Sequence, residues 1–252
     1  MEWSILEIKV LKSYKELSST VANIVKRQLK KQPLSKLALP TGDTPLGMYD
    51  ELVNRKLDWS HVITFNLDVY LMNINHPESY QSYMRKNLFD RTNIYPDHCH
   101  FPFRPFSGFE DKIEGSMGID LCILGIGTNG HIAFNEPGSS FLSRTRVVNL
   151  DEQTIQDNSR FFGSVDDVPI QAITMGLGTI MESKKIVLMA NGDHKLNILN
   201  VAMNGEVTED VPASILQNHD NVEVYYCDWL YNNNRITGRN FKYHCLSTTS
   251  LE

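Results

Sequence analysis

The sequence predicts an α/β fold, a mainly parallel sheet covered by helices, on three observations. Apolar, β-branched runs alternate with segments of helical periodicity. One run, IDLCIL at 119–124, is almost continuously apolar, as a strand buried on both faces must be. Glycine, hydroxyl and carboxylate residues cluster where several runs end, the place where open α/β sheets bind ligands.

The elements follow in order. Residues 5–11 form a short candidate strand. The next helix, 14–31, has Leu17, Val21, Ile24, Val25 and Leu29 at helical spacing, and its basic residues gather at the C-terminal end, where they suit the helix dipole. Residues 36–39 form a brief strand ending in a Pro-Thr-Gly turn. Thr44-Pro45 then reads as a helix start, a hydroxyl cap followed by proline at the first helical position. Strands are expected at 62–67, 119–124, 185–190 and 222–227, with a helix over 194–204 between the last two. The stretch 96–116, rich in Pro, Gly and aromatics, fits no single element. No linker or repeat divides the chain, so 1–252 is expected to be one domain, with 229–252 a polar, peripheral tail.

Composition excludes several partners. A net charge of −6 gives no basic face for a nucleic acid or a membrane surface. The first residues lack the basic, apolar and small-residue order of a secretion signal, and no run is long enough to span a bilayer. Cys99, Cys122, Cys227 and Cys245 show no spacing of a zinc or redox pair, which fits a reduced, cytoplasmic setting. Cys122 and Cys227 lie in strand-like runs and read as core residues.

Chemistry-bearing residues fall at three strand ends. The loop Thr41-Gly42-Asp43-Thr44 could cradle a phosphate at a helix N-terminus, or be an ordinary strand-to-helix turn. It lacks the Lys-Ser/Thr ending of a Walker loop, and the Asp43 carboxylate would repel an anion unless it faces away or caps local amides. Asp68, after VITFNL, is either a turn former or a general base. In the third loop, residues 125–137, His131 and Glu136 are five apart, the wrong interval for a helical zinc motif. His131 is either a structural hydrogen-bonding residue or an imidazole oriented by a carboxylate. Arg160 and Lys195 are candidate anion anchors or plain surface charges. A serine-hydrolase G-x-S-x-G elbow is absent.

Seven segments, in order, give the chain a resemblance to the glucosamine-6-phosphate deaminase (isomerase) family. They are LALPTGDTPLGMY (37–49), TFNLDVY (64–70), HPESYQSYM (76–84), GIGTNGHIAFNEP (125–137), SRTRVV (143–148), NSRFF (158–162) and AITMGLGTI (172–180). The resemblance implies a three-layer α/β/α sandwich with a Rossmann-like, mainly parallel sheet. It implies conversion of glucosamine 6-phosphate into fructose 6-phosphate and ammonia, without metal or organic cofactor. Asp68 then resembles the base that moves a proton from C2 to C1, His131 the residue that opens the sugar ring, and Glu136 the partner of His131. Thr41, Gly42, Asp43, Thr44, Arg160 and Lys195 correspond to the shell around the 6-phosphate.

Four positions depart from the family pattern. Asn129 stands where an aspartate is common, so the relay around the imidazole becomes Asn129, His131 and Glu136, in which the amide can orient the ring but not offset its charge. Val69 replaces an acid beside Asp68, and Asp43 replaces the second glycine of the phosphate loop. Ser139 and Arg146 match two of the three residues that bind an activating amino-sugar phosphate between subunits of allosteric members, but Val148 replaces the lysine. The expectation is a monomer or small homo-oligomer without such activation. Three alternatives share the pattern in part: a galactosamine-6-phosphate deaminase giving tagatose 6-phosphate, a 6-phosphogluconolactonase, and a sugar-phosphate sensor without catalysis.

Overall fold

A computed structural model of the chain describes residues 6–228 and the pair His244–Cys245. The large sheet is built from β1 (Ile8–Leu11), β2 (Lys36–Leu39), β3 (Ile63–Asn66), β5 (Cys99–His100), β6 (Leu121–Leu124), β9 (Ile186–Asn191), β10 (Val222–Cys227) and β11 (His244–Cys245). Its order is β11-β1-β10-β9-β6-β2-β3-β5, and every neighbouring pair is parallel. A second, antiparallel sheet, unforeseen in the sequence, joins β4 (Asp68–Tyr70), β8 (Gln171–Thr174) and β7 (Arg146–Asn149) in the order β4-β8-β7.

The near-continuous apolar runs are explained by cover on both faces. In β6, Leu121 and Ile123 enter one core and Cys122 and Leu124 the other; β9 divides Val187 and Met189 from Ile186 and Leu188 in the same way. The first core lies under α1 (Tyr14–Lys31) and α2 (Leu46–Asn54). Helix α1 contributes Leu17, Val21, Val25 and Leu29 to it, so its periodicity is that of its buried stripe. The opposite core takes Phe109 and Ile113 from α4 (Phe106–Gly115), Leu177 and Ile180 from α6 (Leu177–Met181), and Leu199 and Met203 from α7 (Leu196–Asn204). The result is the expected three-layer α/β/α sandwich. The undecided stretch 96–116 resolves into a 3-10 turn (Pro96–His98), the edge strand β5 and α4.

The expected cap of α2 is corrected. Thr44 makes no capping hydrogen bond; the helix begins at Leu46, with Pro45 in the cap position. The Tyr14 hydroxyl does the capping instead, accepting from the Gly47 amide at 2.8 Å. It also lies 3.1 and 3.0 Å from the Asp43 and Thr44 carbonyls, within donating range of either. The peripheral tail expected at 229–252 lies outside the described residues, apart from the β11 pair beside β1.

Strand order fixes where a ligand can bind. From β2 the chain steps outward to β3 and β5, then returns to place β6 on the other side of β2 and continues outward through β9 and β10. The loops leaving β2 and β6 therefore flank a reversal of strand order, where their splayed ends leave a crevice. These loops are 40–45 and 125–137.

Candidate active site

A cleft of about 680 Å³ occupies that crevice. Residues 41–44, Asp68, His131, Arg160 and Lys195 all line it, so the structure brings together eight residues proposed from the sequence. Glu136 and Asn129 stand behind His131.

The loop after β2 is held from two sides. Tyr14 of α1 bonds it as described, and the Tyr83 hydroxyl, from α3 (Tyr80–Asn87), donates to the Gly42 carbonyl at 2.6 Å. Gly42 has φ +89°, a left-handed conformation that a side chain would strain. The Asp43 carboxylate does not face away or cap amides: Arg160 Nη2 lies 3.0 Å from its Oδ2.

Asp68 is not a turn residue. The chain passes from β3 through Leu67 into β4, so Asp68 opens a strand of the small sheet, opposite Thr174. Leu67 stitches the two sheets, donating to the Leu39 carbonyl at 3.3 Å and accepting from the Met175 amide at 2.7 Å. Asp68 is 6% exposed, and burial pushes its carboxyl up to about 7. A carboxylate tuned to that range can both take and return a proton near neutrality.

His131 is placed by its own loop. The Gly127 amide donates to the His131 carbonyl at 2.9 Å, and the imidazole lies so close over Gly127 that a Cβ there would sit 2.2 Å from Cε1. Nδ1 lies 3.3 Å from Glu136 Oε2 and 3.3 Å from the Thr154 hydroxyl, leaving Nε2 as the ring nitrogen not engaged with these partners. Burial alone would raise the Glu136 carboxyl; the hydrogen bond and charge of His131, with Thr154 and Asn129, outweigh it and hold the group below its ordinary value. Asn129 reaches a different target from the one expected. Its amide nitrogen donates to Glu136 Oε2 at 2.8 Å and its oxygen accepts from the His131 backbone amide at 3.2 Å, so it orients the carboxylate and the loop, not the ring.

Helix α5 (Glu152–Phe162), between β7 and β8, roofs the cleft and supplies residues that the sequence reading missed. Thr154, Asp157, Asn158 and Phe161 all line the cleft, and their i, i+3, i+4, i+7 spacing was the available signal. Asp157 accepts from the Thr128 hydroxyl at 2.7 Å and from Gln153 Nε2 at 2.8 Å, tying the roof to the histidine loop. Arg160 leaves the last turn of α5, its guanidinium 4.8 Å from the Phe161 ring centroid. Across the cleft, burial pushes the Lys195 ammonium down to about 8; Asp157 opposes the shift and Arg160 adds to it.

The cleft thus combines a tuned buried carboxylate, an oriented imidazole and an end carrying two cations. That suits proton transfer at carbon on a small anionic substrate.

Known proteins are similar to this chain in sequence and in fold. The family of glucosamine-6-phosphate isomerases and 6-phosphogluconolactonase matches residues 12–225. The chain is 46% identical over 231 residues to a glucosamine-6-phosphate deaminase of Clostridium botulinum (strain Kyoto / Type A2), covering 87% of this chain and 95% of the relative. Its identity to the Thermoanaerobacter sp. (strain X514) glucosamine-6-phosphate deaminase is 44%, covering 87% and 91%. Among solved structures, a monomeric glucosamine-6-phosphate deaminase superposes with a TM-score of 0.85 at 36% identity, over 91% of this chain and 100% of the other. The 6-phosphogluconolactonase of Trypanosoma cruzi, with TM-score 0.73 at 19% identity and coverages of 94% and 99%, shares the fold. Because the family's match runs through both sheets and every loop of the cleft, the chain belongs to the glucosamine-6-phosphate isomerase/6-phosphogluconolactonase family.

Proposed function

We propose that this protein deaminates and isomerises glucosamine 6-phosphate, giving fructose 6-phosphate and ammonia. The observation that carries the reading is Asp68: a buried carboxyl near neutrality, in the same cleft as an imidazole backed by Glu136. The relatives named above, at 44–46% identity, are named for this substrate.

Turning a 2-amino aldose into a ketose requires an open chain and a proton moved from C2 to C1. His131 assists ring opening. Asp68 removes the C2 proton and returns it to C1; the C2 imine then adds water and releases ammonia. Glu136, held by Asn129 and Thr154, compensates charge on the imidazole. The hydroxyls of Thr41 and Thr44, the Gly42–Asp43 backbone, Arg160 and Lys195 surround the 6-phosphate. This scheme uses protein groups alone, with no metal or organic cofactor. We assign the enzyme to the cytoplasm as a monomer or small homo-oligomer; the thiols of Cys99, Cys122 and Cys227, all unpaired, support the compartment.

The test is to incubate the protein separately with glucosamine 6-phosphate, galactosamine 6-phosphate and 6-phosphogluconolactone. Ammonia and fructose 6-phosphate should arise from the first. Ammonia from the galactosamine ester alone, or lactone hydrolysis alone, would overturn the assignment.

A further inference from the structure

We propose that Asp43 is a specificity-determining residue that occupies Arg160 in the ligand-free cleft and must be displaced by the incoming phosphate. The inference rests on the reading of this end of the cleft as the phosphate site.

Three observations support it. First, the loop carrying Asp43 is pinned by the Tyr14 and Tyr83 hydroxyls, so its backbone cannot withdraw the carboxylate from the mouth. Only the side chain can move. Second, the charged side chains here are two cations, Arg160 and Lys195, and three carboxylates, Asp43, Asp157 and Asp193, so the end carries no excess positive charge. Asp157 is committed to Thr128 and Gln153, and Asp193 to the His194 amide, whereas the Asp43 carboxylate meets Arg160 in an exposed ion pair, with Oδ2 3.0 Å from Nη2. Asp43 is therefore the anion free to leave. Third, the guanidinium also rests on the Phe161 ring, so Arg160 keeps one anchor when it exchanges the carboxylate for a phosphate.

The exchange is chemically favoured. A phosphate monoester brings up to two negative charges and can bridge the guanidinium fork with two oxygens, whereas Asp43 brings one charge in an exposed ion pair. The competing pair is weak, since its partners are 63% and 53% exposed and solvent screens them. Asp43 thus lowers affinity for any anion at this end and sets a threshold: a ligand unable to engage the Arg160 fork does not dislodge it.

The experiment measures binding of inorganic phosphate to the full chain, by calorimetry and as a competitive inhibitor. Asp43→Asn and Asp43→Ser should each tighten phosphate binding by about 2- to 5-fold, the range expected from removing one exposed charge pair. KM for the sugar phosphate should fall with it, by a larger factor than any change in kcat, and Asp43→Glu should restore weak binding. Unchanged or weaker binding in both Asn and Ser variants would overturn the proposal. Arg160→Gln separates the two levels. If it leaves phosphate affinity unaltered, the phosphate reading itself fails. If it weakens binding while the Asp43 variants do nothing, only the role given to Asp43 fails.

Discussion

Replacing Asp68 by asparagine should stabilise the protein at alkaline pH while disabling it. The native carboxyl holds its proton up to about 7, whereas its ordinary value is 3.8. Between those two values the folded state binds a proton that the unfolded state has released, so this group makes stability fall as pH rises. Above about 7 both states are ionised and the full burial penalty is present. About three pH units at roughly 1.4 kcal/mol each set the penalty at up to about 4 kcal/mol. Asparagine carries no such charge and nearly the same volume. Urea unfolding should therefore show the variant and the parent close together near pH 4, diverging through neutrality, with the variant more stable at pH 8. In parallel, kcat should drop by about 10²- to 10⁴-fold, and exchange of the C2 proton with solvent should cease. A stability difference that is equal at pH 4 and pH 8 would refute the claim that burial raises this carboxyl. Undiminished C2 exchange would remove Asp68 from the role of base.

Further outcomes test the remainder of the cleft. Gly127→Ala puts a Cβ 2.2 Å from the His131 ring and should lower kcat by about 100-fold with far-UV circular dichroism unchanged, because small misplacements of a reacting group are costly. Glu136→Gln keeps the shape but removes the charge facing Nδ1, and steady-state kinetics should show kcat lower by about 10²- to 10⁴-fold with smaller change in KM. With Lys195 charged only below about 8, kcat/KM should fall as pH rises through that value, and Lys195→Gln should remove this limb of the profile. Arg146 is engaged by Ser139 at 3.0 Å and by Asn135 at 2.8 Å, and Val148 supplies no charge. Kinetics should therefore stay hyperbolic and unaffected by N-acetylglucosamine 6-phosphate, and sedimentation should give no hexamer.

The inner strands of the large sheet were readable because they are buried on both faces, and its helices because they bury one stripe; the two-residue edge strands β5 and β11 were not. The spans of α1, β2 and β10 match those read from periodicity residue for residue. The small sheet was not readable, since β4 has three residues and the half-exposed β7, Arg146–Asn149, shows no alternation. At the cleft, residue types and strand ends were enough to bring forward Asp68, His131 and Glu136. Their electrostatics were not. The neutral-range carboxyl of Asp68 arises from burial produced by two sheets meeting, which no local window records. The Asp43–Arg160 pair joins segments distant in the chain, so Arg160 alone read as an anion anchor or a plain surface charge, and Asp43 as a carboxylate that repels an anion unless it faces away or caps amides. Tyr14 shows the same limit from the other side: a hydroxyl from α1 replaces the local Thr44 cap, because tertiary contact outcompeted the neighbouring side chain.

The passage of the chain from β3 through Leu67 into β4 has a mechanical consequence. The loop after β2 belongs to the large sheet, whereas Asp68 belongs to the small one, which also carries α5 between two of its strands. In the proposed scheme a sugar phosphate is gripped at one end by the loop and gives up its C2 proton to Asp68 at the other, so it is gauged against the spacing between two sheets. Leu67, bonded to Leu39 on one side and Met175 on the other, is the pin that sets the gauge. In that scheme main-chain hydrogen bonds set the length of substrate accepted, and the side chains of the cleft are left to read its charge and stereochemistry.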